Sequence, residues 1–281
     1  MPAGRAGGRA PRFVTYSFIR VGSALSRSGL PDIDYALNPY VGCAHGCAYC
    51  YARTYTRDPE VVRSWGRLVR IKVNLLEALL RDVGRLKPGV VGVATITDPY
   101  QPVEASEQLT RRSLTILLRS GFRVDIQTKS PLVLRDIDIL RGWGGRVEVG
   151  LTITTLDDTL AAVIEPGAPP PTERASALRE LSAAGISTWV FLGPIIPEVN
   201  DAPESIAEVV KLARETGSQL IYDHLRLKPQ MIGPLTQALR ELGLNHERVL
   251  KLASSRRWVE EVAGRVMSAC REEGADCVPA F

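Results

Sequence analysis

The chain has 281 residues, 45% of them hydrophobic and 23% charged, with a formal net charge of +4. That length and composition can bury a full core as one α/β unit, and no apolar run approaches the roughly 20 residues of a membrane span. Three of the five cysteines share one short loop, which is no disulfide framework; with no apolar stretch of a secretory signal at the N-terminus, the expected setting is a reducing one, the cytoplasm, and no membrane partner is expected.

Arg5, Arg9, Arg12, Arg20 and Arg27 all precede the first acid, Asp32, so residues 1–30 read as a basic N-terminal arm. With Phe13, Tyr16 and Phe18 interleaved, such an arm can grip phosphates and stack bases. It equally fits a poorly ordered terminus of a chain that uses arginine throughout. Residues 31–230 then alternate strand and helix patterns with short connections, the sign of a parallel α/β core.

The first strand is expected over 35–41, delivering the cysteine loop from its C-terminal end. A short extended piece at 68–73 precedes a helix at 75–85, where Asn74 and Glu77 give a capping-box-like start. The apolar run 90–97 reads as a buried parallel strand, and the polar segment 97–104 leads into a helix over 107–120. A strand at 124–128 precedes a helix opened by Ser130-Pro131. A strand at 147–154 precedes the Pro-rich loop 165–171 and a helix ending at Ala184. A strand at 188–193 feeds Asp201-Ala-Pro-Glu204, another capping-box-like start for a helix ending near Thr216, and 219–226 gives a sixth strand. From Leu235 onward the tail reads as two or three helices, so that residues 231–281 form a helical extension packed on the core. Six βα units, short of the eight of a closed barrel, predict a partial (β/α)6 TIM-like barrel with function at the C-terminal ends of its strands.

The motif that carries chemistry is Cys43-Ala-His-Gly-Cys47-Ala-Tyr-Cys50. A [4Fe-4S] cluster is ordinarily held by four thiolates, so a compact set of three leaves one iron for a ligand that is not protein. Gly42, Ala44, Gly46 and Ala48 let the backbone wrap tightly and offer N–H groups to the cluster sulfides. Tyr49 would project as a flat apolar surface beside the open iron. The alternative is zinc with His45 as fourth ligand, although zinc sites usually pair CXXC motifs or set a His pair at a distance.

This CX3CX2C spacing, with an aromatic before the last Cys, resembles the signature of the radical S-adenosylmethionine (SAM) superfamily. Asn38-Pro-Tyr-Val-Gly-Cys43 through Arg53, Thr97-Asp-Pro-Tyr-Gln-Pro-Val-Glu104, Thr128-Lys-Ser130, Glu165-Pro166, Gly193-Pro-Ile-Ile-Pro197 and Asn200-Asp201 together resemble the branch related to spore photoproduct lyase, over about 35–226. The resemblance implies an enzyme in which Cys43, Cys47 and Cys50 bind the cluster and the open iron takes the amino and carboxylate groups of SAM. An external one-electron reductant such as ferredoxin or flavodoxin would drive cleavage to methionine and a 5′-deoxyadenosyl radical, which abstracts hydrogen from a substrate; a nucleic acid or a macromolecule-borne residue is the substrate class considered.

By the same resemblance Thr97 and Asp98 would hold the methionine amino group, Lys129 its carboxylate, Thr152 and Thr154 the ribose or carboxylate oxygens, and the segment around Ile195 the adenine. Tyr100 and Glu104 are the candidates for catalysis, and with Glu165, Asn200, Asp201 and His224 they lie near strand ends where substrate would sit. Spore photoproduct lyase returns hydrogen from an additional cysteine near its second strand, and between Cys50 and Cys270 this chain has none. Cys270 and Cys277 fit ordinary buried thiols, a disulfide or auxiliary ligation. Against the enzyme reading stands a non-catalytic module whose cysteines hold zinc or a structural cluster and whose basic arm binds nucleic acid.

Overall fold

Residues 13–280 are described by the computed structural model, so Arg5, Arg9 and Arg12 of the expected arm lie outside the described residues. The strands are Thr15–Ile19 (β1), Leu25–Arg27 (β2), Tyr35–Leu37 (β3), Tyr40–Val41 (β4), Leu68–Lys72 (β5), Val90–Val93 (β6), Arg123–Thr128 (β7), Val147–Thr152 (β8), Ser187–Ile195 (β9), Gln219–His224 (β10) and Cys277–Pro279 (β11). Eight form one sheet in the order β11-β10-β9-β8-β7-β6-β3-β2. The six from β3 to β10 in that order run parallel, as does β11 on β10, and only β2 is antiparallel. The sheet is open, with β2 and β11 at its edges, which is the expected partial barrel.

Alternation along the strands divides the sheet into two faces. Val124 and Ile126 of β7, Val147, Val149 and Leu151 of β8, and Val190 and Leu192 of β9 pack in the main core with Leu114, Leu117 and Leu118 of the helix Leu109–Arg119. The opposite face carries Asp125, Gln127, Gly150, Thr152, Trp189 and Phe191, a more polar set than the branched aliphatics that fill a closed barrel. Gly150 is needed there, since a Cβ on it would lie 2.2 Å from the Trp189 ring. The ring thereby reaches across β8 and donates Nε1–H to Asp125 Oδ1 at 3.0 Å.

The first expected strand is two strands. Its break falls at Asn38, whose side chain accepts from Thr95 N and Ile96 N at 3.0 and 2.9 Å; β4 then leaves the main sheet for a small one ordered β1-β5-β4. The described part of the arm likewise joins the sheets. Asn74 exchanges hydrogen bonds with the Val21 backbone, and Asp82 accepts from Ala24 N and Leu25 N at 2.7 and 2.9 Å. Asn74 therefore does not cap the helix Leu75–Arg85 with its side chain.

Two further elements differ from the sequence reading. A helix Asp158–Ile164, capped by Asp157, precedes the Pro-rich loop. The tail contains the helices Pro229–Glu241, His246–Ala253 and Arg256–Glu273 and then β11, and Cys270 and Cys277 form a disulfide that ties the last helix to this edge strand. Among the described residues no helix is long and apolar enough to cross a membrane.

Candidate active site

The thiol loop leaves β4 through Gly42, at φ +89°, where a Cβ would stand 2.7 Å from Leu68 O and from the Val61 side chain. Gly46 also lies at positive φ. From the other side Gly167 presses against the loop: its N–H donates to His45 O at 2.9 Å, and a Cβ would come within 2.4 Å of Ala44 O. Gln101, wholly buried, accepts from Ala44 N at 2.9 Å and donates to Gly42 O and to Thr97 Oγ1.

Cys43 and Cys47 are buried, Cys50 is half-buried, and all three are free thiols. Burial pushes each thiol pKa up, that of Cys47 to about 12. Opposing it are N–H groups aimed at sulfur, from His45 to Cys43 and from Ala52 and Arg53 to Cys50, and the cation of Lys129 near Cys47. Buried sulfurs of this kind become thiolates when a cationic centre binds them. Among the described residues no three His, Cys, Asp or Glu side chains converge on one single-ion position. A four-iron cluster instead asks its ligands to stand apart, one to each iron. His45 turns Nδ1 toward Asp98 Oδ2, 3.3 Å away. The donor set of three thiols on a backbone-lined loop therefore fits a [4Fe-4S] cluster with one open iron.

Tyr49 links this loop to the end of β8. Its hydroxyl donates to Glu165 Oε1, and Thr154 Oγ1 donates to the same oxygen at 3.0 Å. Arg174, from the helix Pro171–Ala183 and with no exposed side-chain surface, forms an ion pair with Glu165 and also donates to Pro169 O and Thr152 O. Burial alone would raise the Glu165 pKa, but Arg174 and Lys129 outweigh it and the carboxyl is held below its ordinary value. Lys129 places its ammonium 5.6 Å from the Tyr49 ring centroid. Burial works against that cation, yet Cys47 and Glu165 raise its pKa. Cys47, Ala48 and Tyr49 share an apolar cluster with Ile164, Ile196 and Leu225.

The structure thus brings Tyr49, Lys129, Thr154 and Glu165 together beside the three cysteines. Thr152 lies one alternation earlier, accepting from Gln127 Nε2 at 3.2 Å. Thr97 donates to Gly42 O at 2.6 Å and steadies the loop. Asp98, expected to receive the amine of SAM, has both oxygens occupied: Oδ1 by Tyr100 N and Thr128 Oγ1, Oδ2 by Lys129 N and His45. Burial would raise its pKa, but His45, Thr128 and Lys129 N–H together hold it at about 2. Asp98 joins the thiol loop to the end of β7 and so positions Lys129. Ile195 turns into the main core, and its neighbour Ile196 meets the thiol loop.

Tyr100 and Glu104 have no exposed surface. Tyr100 donates to Asp136 Oδ2 at 3.0 Å. Glu104 accepts from Tyr40 OH, Thr110 N, Arg111 N and Arg135. Gln108, at φ 51°, provides no side-chain cap for the helix Leu109–Arg119, and Glu104 serves its free N–H groups instead. The polar atoms of Tyr100 and Glu104, the candidates for catalysis, are engaged within the βα unit. Asn200 donates to Thr154 O and accepts from Ile196 N, holding the end of β9 against that of β8. Asp201 accepts from Trp258 Nε1 and Arg265 and anchors the last helix. His224, at the end of β10, lies 3.3 Å from Asp223. Asn38 and Gln101 fall within the quoted motifs without an assigned role and Arg174 outside them, because a lone amide or a helical arginine carries no spacing signal.

An open parallel α/β barrel with three free thiols at the C-terminal ends of its strands defines an iron–sulfur enzyme fold. The Radical SAM superfamily pattern matches residues 37–213, and the chain belongs to that superfamily, whose members use a [4Fe-4S] cluster and SAM. An uncharacterized protein of Methanocaldococcus jannaschii is 34% identical over 190 residues, 68% of this chain and 71% of that protein. An uncharacterized protein of Mycobacterium tuberculosis is 29% identical over 233 residues, 78% of this chain and 68% of its own length. A spore photoproduct lyase mutant with bound AdoMet and dinucleoside spore photoproduct superposes with a TM-score of 0.71 at 15% identity, covering 94% of this chain and 81% of that one. Streptococcus suis SuiB bound to S-adenosylmethionine gives 0.52 at 15% identity, covering 95% and 51%.

Proposed function

We propose that the chain cleaves SAM reductively to methionine and a 5′-deoxyadenosyl radical, and that this radical abstracts hydrogen from a substrate, giving 5′-deoxyadenosine. The observation that carries this reading is the placement of Cys43, Cys47 and Cys50, three free and largely buried thiols, beside a half-buried lysine at the mouth of the barrel. A cluster held by Cys43, Cys47 and Cys50 would supply the electron, received from an external one-electron donor such as ferredoxin or flavodoxin, and an iron site for the methionine end of SAM. Lys129 pairs with the methionine carboxylate. Tyr49, held by Glu165, which Thr154 in turn fixes, is the flat wall against which the nucleoside rests, and Ile196 is its apolar neighbour. Asp98 acts through Lys129 by fixing its backbone. A nucleic acid or macromolecule-borne group is the substrate class, and a reducing compartment such as the cytoplasm is the setting.

Iron and sulfide content and 5′-deoxyadenosine formation, measured anaerobically in Cys43→Ala, Cys47→Ala and Cys50→Ala, test the ligand assignment. Each variant is expected to lose cluster and cleavage together. Full cleavage by any one of them would overturn it.

A further inference from the structure

Directly after the thiol loop, residues 53–70 contain five arginines and only two acids. Those acids do not neutralise the segment evenly. Asp58 and Glu60 both pair with Arg70, and Asp58 also accepts from Glu60 N and Val61 N to cap the helix Pro59–Arg63. Arg53, Arg57 and Arg63 line a recess of about 360 Å³, whose walls also include Thr54, Thr56 and Gln230. Arg57 and Arg63 are exposed and pair with no acid among the described residues. The Arg53 guanidinium lies 5.6 Å from the Trp65 ring centroid, which orients its plane.

We propose that this recess is a phosphate-binding subsite for a single-stranded nucleic acid, with Tyr51 and Tyr55 as stacking platforms between it and the barrel mouth. The exposed guanidinium groups of Arg57 and Arg63 meet no acid among the described residues, and their planar forks match phosphate oxygens. Thr54 and Thr56 add hydroxyls, and Thr54 is tied to Gln230 at 2.9 Å. Tyr51 and Tyr55 are 48% and 55% exposed, their ring centroids 6.0 Å apart. Exposed aromatic faces beside a cationic groove are the pattern of sequence-tolerant strand binding. Tyr51 hydrogen-bonds to Thr95 O, just beyond β6, so the first platform stands at the mouth itself. A strand anchored by its phosphate in the recess would run over Tyr55 and Tyr51 toward the thiol loop. An acidic protein would find the arginines but would leave the two half-exposed tyrosines beside the recess unexplained.

The assignment names a substrate class for the radical reaction above and rests on that reading, but its test is binding alone, so either can fail without the other. Fluorescence anisotropy would follow a labelled mixed-sequence single-stranded oligonucleotide on the cluster-loaded enzyme, with inorganic phosphate, a nucleoside monophosphate and polyglutamate as competitors. The doubly substituted Arg57→Gln/Arg63→Gln protein is expected to bind at least about tenfold more weakly, with the salt slope reduced by about 1.4, the share of two phosphates on a single strand. Tyr55→Ala is expected to lose about tenfold. Arg119→Gln, at the far end of the helix Leu109–Arg119, removes one positive charge away from the recess and should bind within about twofold of the unaltered enzyme. Phosphate and the monophosphate should compete weakly in that order. No binding of the oligonucleotide, unchanged binding by the double variant, an equal loss in Arg119→Gln, or displacement by polyglutamate as effective as by unlabelled oligonucleotide would overturn the proposal.

Discussion

Tyr49 and Glu165 are 116 residues apart in sequence and share a buried hydrogen bond, the link between the thiol loop and the end of β8. Glu165 is in turn ion-paired with Arg174 where neither side chain is exposed. Removing one partner of a buried pair strands the other, at about 3–5 kcal/mol, whereas replacing both with apolar groups is often neutral. Glu165→Gln is therefore expected to lower the unfolding free energy by about that amount. The double variant Glu165→Leu/Arg174→Met should recover most of the loss in denaturant unfolding and still bind SAM poorly, because the Tyr49 hydroxyl no longer has its acceptor. Recovery of SAM affinity in the double variant would remove Glu165 as a positioning residue.

Gly167 supplies a prediction about the loop itself. An added Cβ would sit 2.4 Å from Ala44 O, a backbone atom with nowhere to rotate. Gly167→Ala should cost about 1–3 kcal/mol by overpacking and reduce iron retained per chain after desalting. Gly29→Ala, where an added Cβ meets no neighbouring atom and the backbone is not at positive φ, is the control for the substitution itself and should leave iron retention unchanged.

Lys129→Ala should weaken SAM binding while leaving the absorption of the cluster intact. A cation bonded to a carboxylate in a half-buried site is worth about 1.5–3 kcal/mol, roughly a ten- to hundredfold change in Kd. Equilibrium binding of SAM to the variant checks it, and unchanged affinity would remove the carboxylate role.

Asp125 gives a pH signature away from the thiols. Burial pushes its carboxyl up to about 6, against the hydrogen bond from Trp189. A carboxyl whose pKa is raised by folding costs nothing below its unfolded value and weakens the fold as pH rises through its folded one. The unaltered protein should therefore lose up to about 3 kcal/mol, relative to Asp125→Asn, between roughly pH 4 and 6. The asparagine keeps an acceptor for Trp189 and has no charge to bury. Parallel unfolding curves for the two proteins across that range would contradict the assignment.

The parallel core was legible because short apolar runs separated by capped helices are a local signal, and the three cysteines were legible by spacing. What escaped was set by tertiary partners. Asn74 and Asp201 look like helix starts in sequence, yet their side chains hold Val21 and Trp258. Asp98 and Glu104 look like exposed carboxylates at a strand end and are instead enclosed by donors from elements distant in sequence. The strands β2 and β11, three residues each, are too short to show a period, and with β1 they are placed by the edges that β3, β10 and β5 offer them.

The most direct test of the central claim is electron paramagnetic resonance of the anaerobically reconstituted, reduced protein with and without SAM, on samples also assayed for 5′-deoxyadenosine. The account predicts a [4Fe-4S] signal that changes when SAM is added, together with 5′-deoxyadenosine that depends on reductant. A zinc-loaded protein, or a cluster whose signal and products are indifferent to SAM, would contradict it.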